Sequence, residues 1–92
     1  MQAMLILAHK NVDQVLQLAS KLNRRFEVYI HFDTKCPVSE KEKSFMDDNG
    51  IKHISEVDVN WGSWSIGEVA YRLMKLALKN PDISYVHVIS RQ

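Results

Sequence analysis

The stretch Gln2-Ala-Met-Leu-Ile-Leu-Ala8, followed by a helical pattern and by Phe26-Glu-Val-Tyr-Ile-His-Phe32, decides the fold of this chain. The first run is short and continuously apolar, which is typical of a strand buried on both faces. The second run is rich in aromatic and β-branched residues and is predicted to be another strand. Between them, apolar residues recur at helical spacing, at Val12, Val15, Leu16, Ala19 and Leu22. The pattern therefore predicts a β-α-β unit with parallel strands and a right-handed crossover.

The remainder of the chain repeats this alternation and predicts the order βαβαβαβ in a Rossmann-like parallel sheet, an α/β fold. A second helix, mostly exposed, runs to about Asp48, and a weaker strand follows from Ile51 to Val57. Residues 60–64 are predicted to be a loop, and the last strand spans Ser84 to Ile89. Three capping boxes are predicted to start the helices, at Asn11 and Gln14, at Ser39 and Glu42, and at Ser65 and Glu68.

Composition restricts the class of protein. Ninety-two residues predict a single small domain, 1–92, and 46% apolar with 25% charged residues is ordinary for a globular chain. A net charge of +1 argues against nucleic acid as a partner. The single cysteine, Cys36, has no internal disulfide partner, which favours a reducing compartment. The run Met4–Ala8 is too short for a membrane span or a signal-peptide core.

Polar, basic and aromatic residues follow the predicted strands, where ligands of open parallel sheets bind. Asp33 is placed to hold a ribose hydroxyl, or else it is a turn residue before Pro37. Lys35 is placed to neutralise a diphosphate, or else it is a solvated surface lysine. Trp61 and Trp64 suit stacking on a base or a sugar, although we expect at least one of them to be buried.

Other chemistries are less well supported by the sequence. The four histidines have no spacing typical of a metal site, so none is expected. His31 and His87 are predicted to be packed, hydrogen-bonded strand residues, whereas His9 is predicted to line a pocket at a strand exit. Cys36 is more simply an incidental loop residue than a nucleophile. The turn from Ala8 to Val12 has no glycine and is not a dinucleotide-binding loop.

Three blocks carry a resemblance to a known family: Leu5-Ile-Leu-Ala-His9, Val28-Tyr-Ile-His-Phe-Asp-Thr-Lys35 and Val59-Asn-Trp-Gly-Ser-Trp-Ser65. In this order and spacing they resemble the core-2/I-branching beta-1,6-N-acetylglucosaminyltransferases, whose superfamily includes the peptide-O-xylosyltransferases. The similarity is strongest to bacterial members and extends through residues 85–90. It implies the Rossmann-like, nucleotide-binding first half of a GT-A-type fold. It also implies transfer of a sugar, usually N-acetylglucosamine, from a UDP donor to a glycan acceptor, with inversion.

The resemblance also implies roles for particular residues. Ala8 and His9 would form the wall of the uridine pocket, and Asp33 and Lys35 would hold polar groups of the nucleotide. Its floor would be formed by Trp61, Gly62 and Ser63. No metal cofactor is implied, because the family lacks the Asp-x-Asp motif and uses basic side chains to stabilise the departing diphosphate.

No glutamate of this chain matches the family's general base, so the resemblance places catalytic residues beyond residue 92. Arg91 also stands where a small residue is expected. We therefore expect a truncated, cytoplasmic enzyme that is inactive alone and whose parent builds a cell-surface polysaccharide from the cytoplasmic face. Membrane association of the full-length enzyme is left open.

Two other interpretations remain open. One is a catalytically dead interaction or nucleotide-binding module that forms a homo-oligomer through the exposed edge of its last strand. The other is an unrelated small α/β binding domain.

Overall fold

The sheet of this protein is entirely parallel, with strand order β3-β2-β1-β4. The computed structural model describes residues 1–59 and 64–91, and only the backbone of Arg91. The elements are β1 (Gln2–Ala8), α1 (Val12–Leu22), β2 (Glu27–Phe32), α2 (Glu40–Asp48), β3 (Lys52–Ile54), α3 (Trp64–Ala77) and β4 (Tyr85–Arg91). The predicted βαβαβαβ order and the parallel α/β architecture are confirmed.

The two faces of the sheet carry separate apolar cores, because side chains alternate along each strand. Met4, Ile6 and Ile30 pack on one face with buried residues of α1 and α2. Leu5 and Tyr29 pack on the other face with buried residues of α3. Helices on both faces of a parallel sheet make a doubly wound arrangement. The central strand β1 is buried from Ala3 to Ala8, as its continuous apolar run predicted.

The direction of winding reverses at β1. The chain steps outward from β1 to β2 and β3, and α3 then brings it back to the opposite side of β1 as β4. The carboxyl ends of β1 and β4 therefore bound a topological switch point, the usual ligand crevice of such sheets. In register, Ala8 of β1 lies between Phe32 of β2 and Arg91 of β4.

The structure confirms one of the three predicted helix caps and contradicts the other two. Ser39 and Glu42 form the predicted capping box, with reciprocal hydrogen bonds of 2.9 and 3.1 Å. Asn11 precedes α1 but makes no side-chain cap, because its backbone is left-handed at a φ of 58°. That prediction is wrong. Ser65 lies inside α3, which begins at Trp64, so Ser65 does not cap this helix and Trp64 is not a loop residue.

The third strand is shorter than predicted and the fourth is longer. β3 has only three residues, and residues 55–57 leave the ladder. β4 continues to Arg91 and lies at an edge of the sheet, as expected. Within the described residues, no helix is long and apolar enough to cross a membrane.

Candidate functional site

Three predicted site residues, Ala8, His9 and Asp33, lie at the carboxyl ends of the neighbouring strands β1 and β2. The backbone N–H of Asp33 donates to the carbonyl oxygen of Ala8 at 2.9 Å, so Asp33 lies beside the exit of β1. His9 follows Ala8 directly and is half-buried there. The strand ends therefore bring Ala8, His9 and Asp33 together next to the switch point, as the sequence predicted.

Asp33 is a buried carboxylate, with only 1% of its surface exposed. Its Oδ1 accepts a hydrogen bond of 2.9 Å from the backbone N–H of Lys35, and the Nζ of Lys35 lies 3.4 Å from its Oδ2. Burial on its own would raise the pKa of Asp33. Hydrogen bonds from Lys35 and from the backbone of Val59 outweigh this effect and lower the pKa, so the group is an anion at neutral pH.

Lys35 connects the loop after β2, to which it belongs, with the loop after β3. Its ammonium contacts the carboxylate of Asp58 and donates to the carbonyl oxygen of Val59 at 3.0 Å. The hydrogen bond with Asp58 is the main cause of its raised pKa. One ammonium is thus shared between two carboxylates, Asp33 and Asp58. The cluster has excess negative charge and suits hydroxyl or N–H donors better than phosphate.

His31 fixes the loop that carries Asp58. This side chain is fully buried on the α3 face of β2, and its Nε2 accepts hydrogen bonds from the backbone N–H groups of Glu56 and Val57, at 3.1 and 3.0 Å. A ring nitrogen that accepts two N–H groups must be unprotonated. Burial also lowers the pKa of His31, against the opposing effects of Glu56 and Asp33. The prediction that His31 is packed and hydrogen-bonded is confirmed.

Of the predicted tryptophan loop, residues 60–64, only Trp64 is among the described residues. Trp61, Gly62 and Ser63 fall outside the described residues. Trp64 is the first residue of α3 and is 95% exposed. Cys36 is buried in the core beneath α2, and burial raises the pKa of its thiol, which agrees with an incidental role.

A groove of about 420 Å³ lies between α3 and the edge strand β3, and its lining does not include His9, Asp33 or Lys35. Ile54 and Leu76 form its apolar part. Arg72 contacts Glu68 at 2.9 Å and Glu56 at 3.5 Å across it. The sequence did not single out this groove, because its residues come from distant segments and have no motif.

Comparison of the chain with protein-family models, curated proteins and solved structures returned no match. Among the described residues, no group of three or more His, Cys, Asp or Glu side chains is arranged to hold a metal ion.

Proposed function

We propose that this chain binds the nucleoside part of a UDP-sugar and forms the nucleotide-binding portion of an inverting glycosyltransferase. The observation that carries the proposal is that the buried anion Asp33 is hydrogen-bonded to Ala8 at the end of β1, directly before His9, beside the switch point of a doubly wound sheet. Ligands of such sheets bind at this place. The core-2/I-branching resemblance adds the chemistry, which is transfer of a sugar, in most members N-acetylglucosamine, to a glycan acceptor.

Charge at the cluster favours nucleoside over phosphate as its ligand. Asp33 and Asp58 share the single ammonium of Lys35, so this cluster would repel a diphosphate. Ribose hydroxyls and the uracil N–H are donors and match carboxylate oxygens. We therefore place the nucleoside beside this cluster, where the carboxylate of Asp58 is exposed, and the diphosphate farther from it. By the resemblance, no residue of this chain supplies the general base, and we expect it to bind without turnover.

Titration of the ¹⁵N-labelled chain with UDP tests the proposal. We expect amide shifts confined to His9, the residues around Asp33 and the end of β4, and similar shifts with UDP-N-acetylglucosamine. ADP is the matched control, since it has the same diphosphate and a different base. No shifts with UDP at millimolar concentration, or equal shifts with ADP, would contradict the proposed uridine site.

A pair of lysine variants localises the site. Lys35→Met leaves Asp33 and Asp58 without their shared cation, and we expect UDP binding to weaken about tenfold, the effect of losing one interaction with a charged group. Lys79→Met is the control, because Lys79 lies between α3 and the amino end of β4, whereas the site lies at the carboxyl ends of the strands. Equal weakening by both variants would show a nonspecific charge effect.

A further inference from the structure

The two edges of the sheet differ in length and charge. β3 has three residues, including Lys52 and His53, and Lys52 pairs with Glu27 of the neighbouring strand. Short edges with charged residues discourage pairing with another chain. β4 has seven residues, and the sequence from Tyr85 to Ser90 has no Asp, Glu, Lys, Arg, Pro or Gly. The β4 edge is therefore longer than the β3 edge and has no charged residue before Arg91 at its carboxyl end.

Helices also cover β4 less than they cover β1 and β2. α1 and α3 make their main contacts with the sheet on β1 and β2. Tyr85 is 67% exposed and Val88 is 49% exposed, whereas Val86 and Ile89 are half-buried. Nothing among the described residues pairs with β4 on the side away from β1. Such a strand presents backbone N–H and C=O groups along its free side and apolar side chains on both faces, and it can therefore pair with another strand.

The sequence of β4 favours a second copy as that strand. In an antiparallel pair related by a two-fold axis through His87, Tyr85 would lie opposite Ile89 of the copy. Val86 would lie opposite Val88 of the copy. Every apolar residue from Tyr85 to Ile89 thus meets another apolar residue on the same face, and no Asp, Glu, Lys or Arg side chains oppose one another over these residues. A foreign strand would need this same pattern, but a second copy has it by symmetry.

We propose that a second copy of this chain pairs with β4 in this antiparallel register and forms a continuous eight-stranded sheet. The contact uses the same surface on both copies, so it closes at two chains. Both free edges of the dimer are then β3 strands, which are short and charged. The proposal concerns the long edge of β4 and does not depend on nucleotide binding.

Sedimentation over a range of micromolar concentrations tests the association. We expect a reversible monomer–dimer equilibrium for the unchanged chain. Val88→Lys puts a charge on the exposed edge twice per dimer, so we expect its dissociation constant to rise at least about tenfold. Phe45→Lys is the matched control, because Phe45 is 40% exposed on α2, beside the other edge, and we expect it to leave the equilibrium unchanged. Circular dichroism establishes that both variants are folded.

Disulfide trapping tests the register without weakening the edge. In a Cys36→Ala background, residue 87 faces its own copy with Cβ atoms about 5 Å apart, so His87→Cys should cross-link rapidly on oxidation. Tyr85→Cys is the control, because two such residues are four positions apart along the strands, about 13 Å. A monomer at every concentration, larger open-ended assemblies, or faster cross-linking at residue 85 would overturn the proposal.

Discussion

Replacement of His31 by phenylalanine tests whether this buried ring holds the loop between β3 and α3. Phenylalanine keeps an aromatic ring of similar size but has no acceptor. The backbone N–H groups of Glu56 and Val57 lose the Nε2 atom that lies 3.1 and 3.0 Å away. An unsatisfied buried donor costs about 1–3 kcal/mol. Because Glu56 is exposed and Val57 is half-buried, water compensates in part, and we expect about 2–3 kcal/mol in total.

This loss is large for so small a protein. At roughly 0.05–0.15 kcal/mol per residue, the whole chain has a free energy of unfolding of about 5–14 kcal/mol. Urea denaturation at pH 7.5, followed by far-UV circular dichroism, measures the difference. His53→Phe is the matched control, because His53 makes a partly exposed contact with Asp47 at 3.1 Å. We expect that variant to lose less than about 1 kcal/mol.

The pH dependence gives a second readout of the same side chain. Burial lowers the pKa of His31 in the folded state, Arg72 of α3 adds to this effect, and Glu56 and Asp33 oppose it. Between that lowered pKa and the unfolded value of about 6.5, the unfolded chain binds more protons. The stability from His31 is therefore present above pH 6.5 and is lost as the pH falls through this window.

We expect the difference in stability between the unchanged protein and His31→Phe to shrink over that window. His31→Gln, which retains an acceptor oxygen, should recover part of the stability at neutral pH without the pH dependence. A His31→Phe variant within about 0.5 kcal/mol of the parent, the range of an ordinary surface change, would refute the reasoning. Identical pH profiles for the two proteins would refute it as well.

Three other expectations concern single side chains. Ser39→Ala removes the capping box of α2 and should cost about 1 kcal/mol in urea denaturation; an unchanged midpoint would contradict a role for the cap. The backbone of Asn11 is left-handed, a conformation that a side chain with a Cβ and no polar group disfavours. Asn11→Ala should therefore cost about 1 kcal/mol of stability, whereas Asn11→Gly should be neutral or stabilising. A glycine variant less stable than the alanine variant would exclude backbone strain as the cause. Cys36 should react with a thiol reagent only when the chain unfolds, because it is 8% exposed and burial raises its pKa; rapid reaction of the native protein would show an open core.

Local patterns predicted the elements whose neighbours lie nearby in sequence. The bounds of β1 and α1 follow from a continuous apolar run and a helical stripe, and both were confirmed. The third strand was predicted too long because the conformation of residues 55–57 depends on His31. This histidine precedes Glu56 by 25 positions. Its ring binds two backbone N–H groups of this segment at the point where the ladder stops. No period or propensity within residues 51–57 contains that information.

Only part of the candidate site could be predicted, namely the part that follows from the order of the strands. Strand ends of a parallel sheet lie at one edge, so the proximity of His9 and Asp33 followed from the predicted topology. The pairing of Lys35 with Asp58 did not follow, because these residues are 23 positions apart and the loop between β3 and α3 had to be placed first. That pairing changes the expected role of Lys35, since its charge is already neutralised within the cluster.

The two proposals use different parts of the sheet, and this separates their tests. Nucleotide binding involves the carboxyl ends of β1, β2 and β4, whereas association involves the outer edge of β4 around His87. Effects at distant sites are additive within about 0.3–0.5 kcal/mol, roughly a twofold change in binding. Val88→Lys should therefore weaken dimerisation at least about tenfold and leave UDP affinity within that range, whereas Lys35→Met should weaken UDP binding about tenfold and leave dimerisation within that range. If either variant changed both properties, the crevice at the end of β4 and the β4 edge would be one surface, and the two proposals would have to be merged.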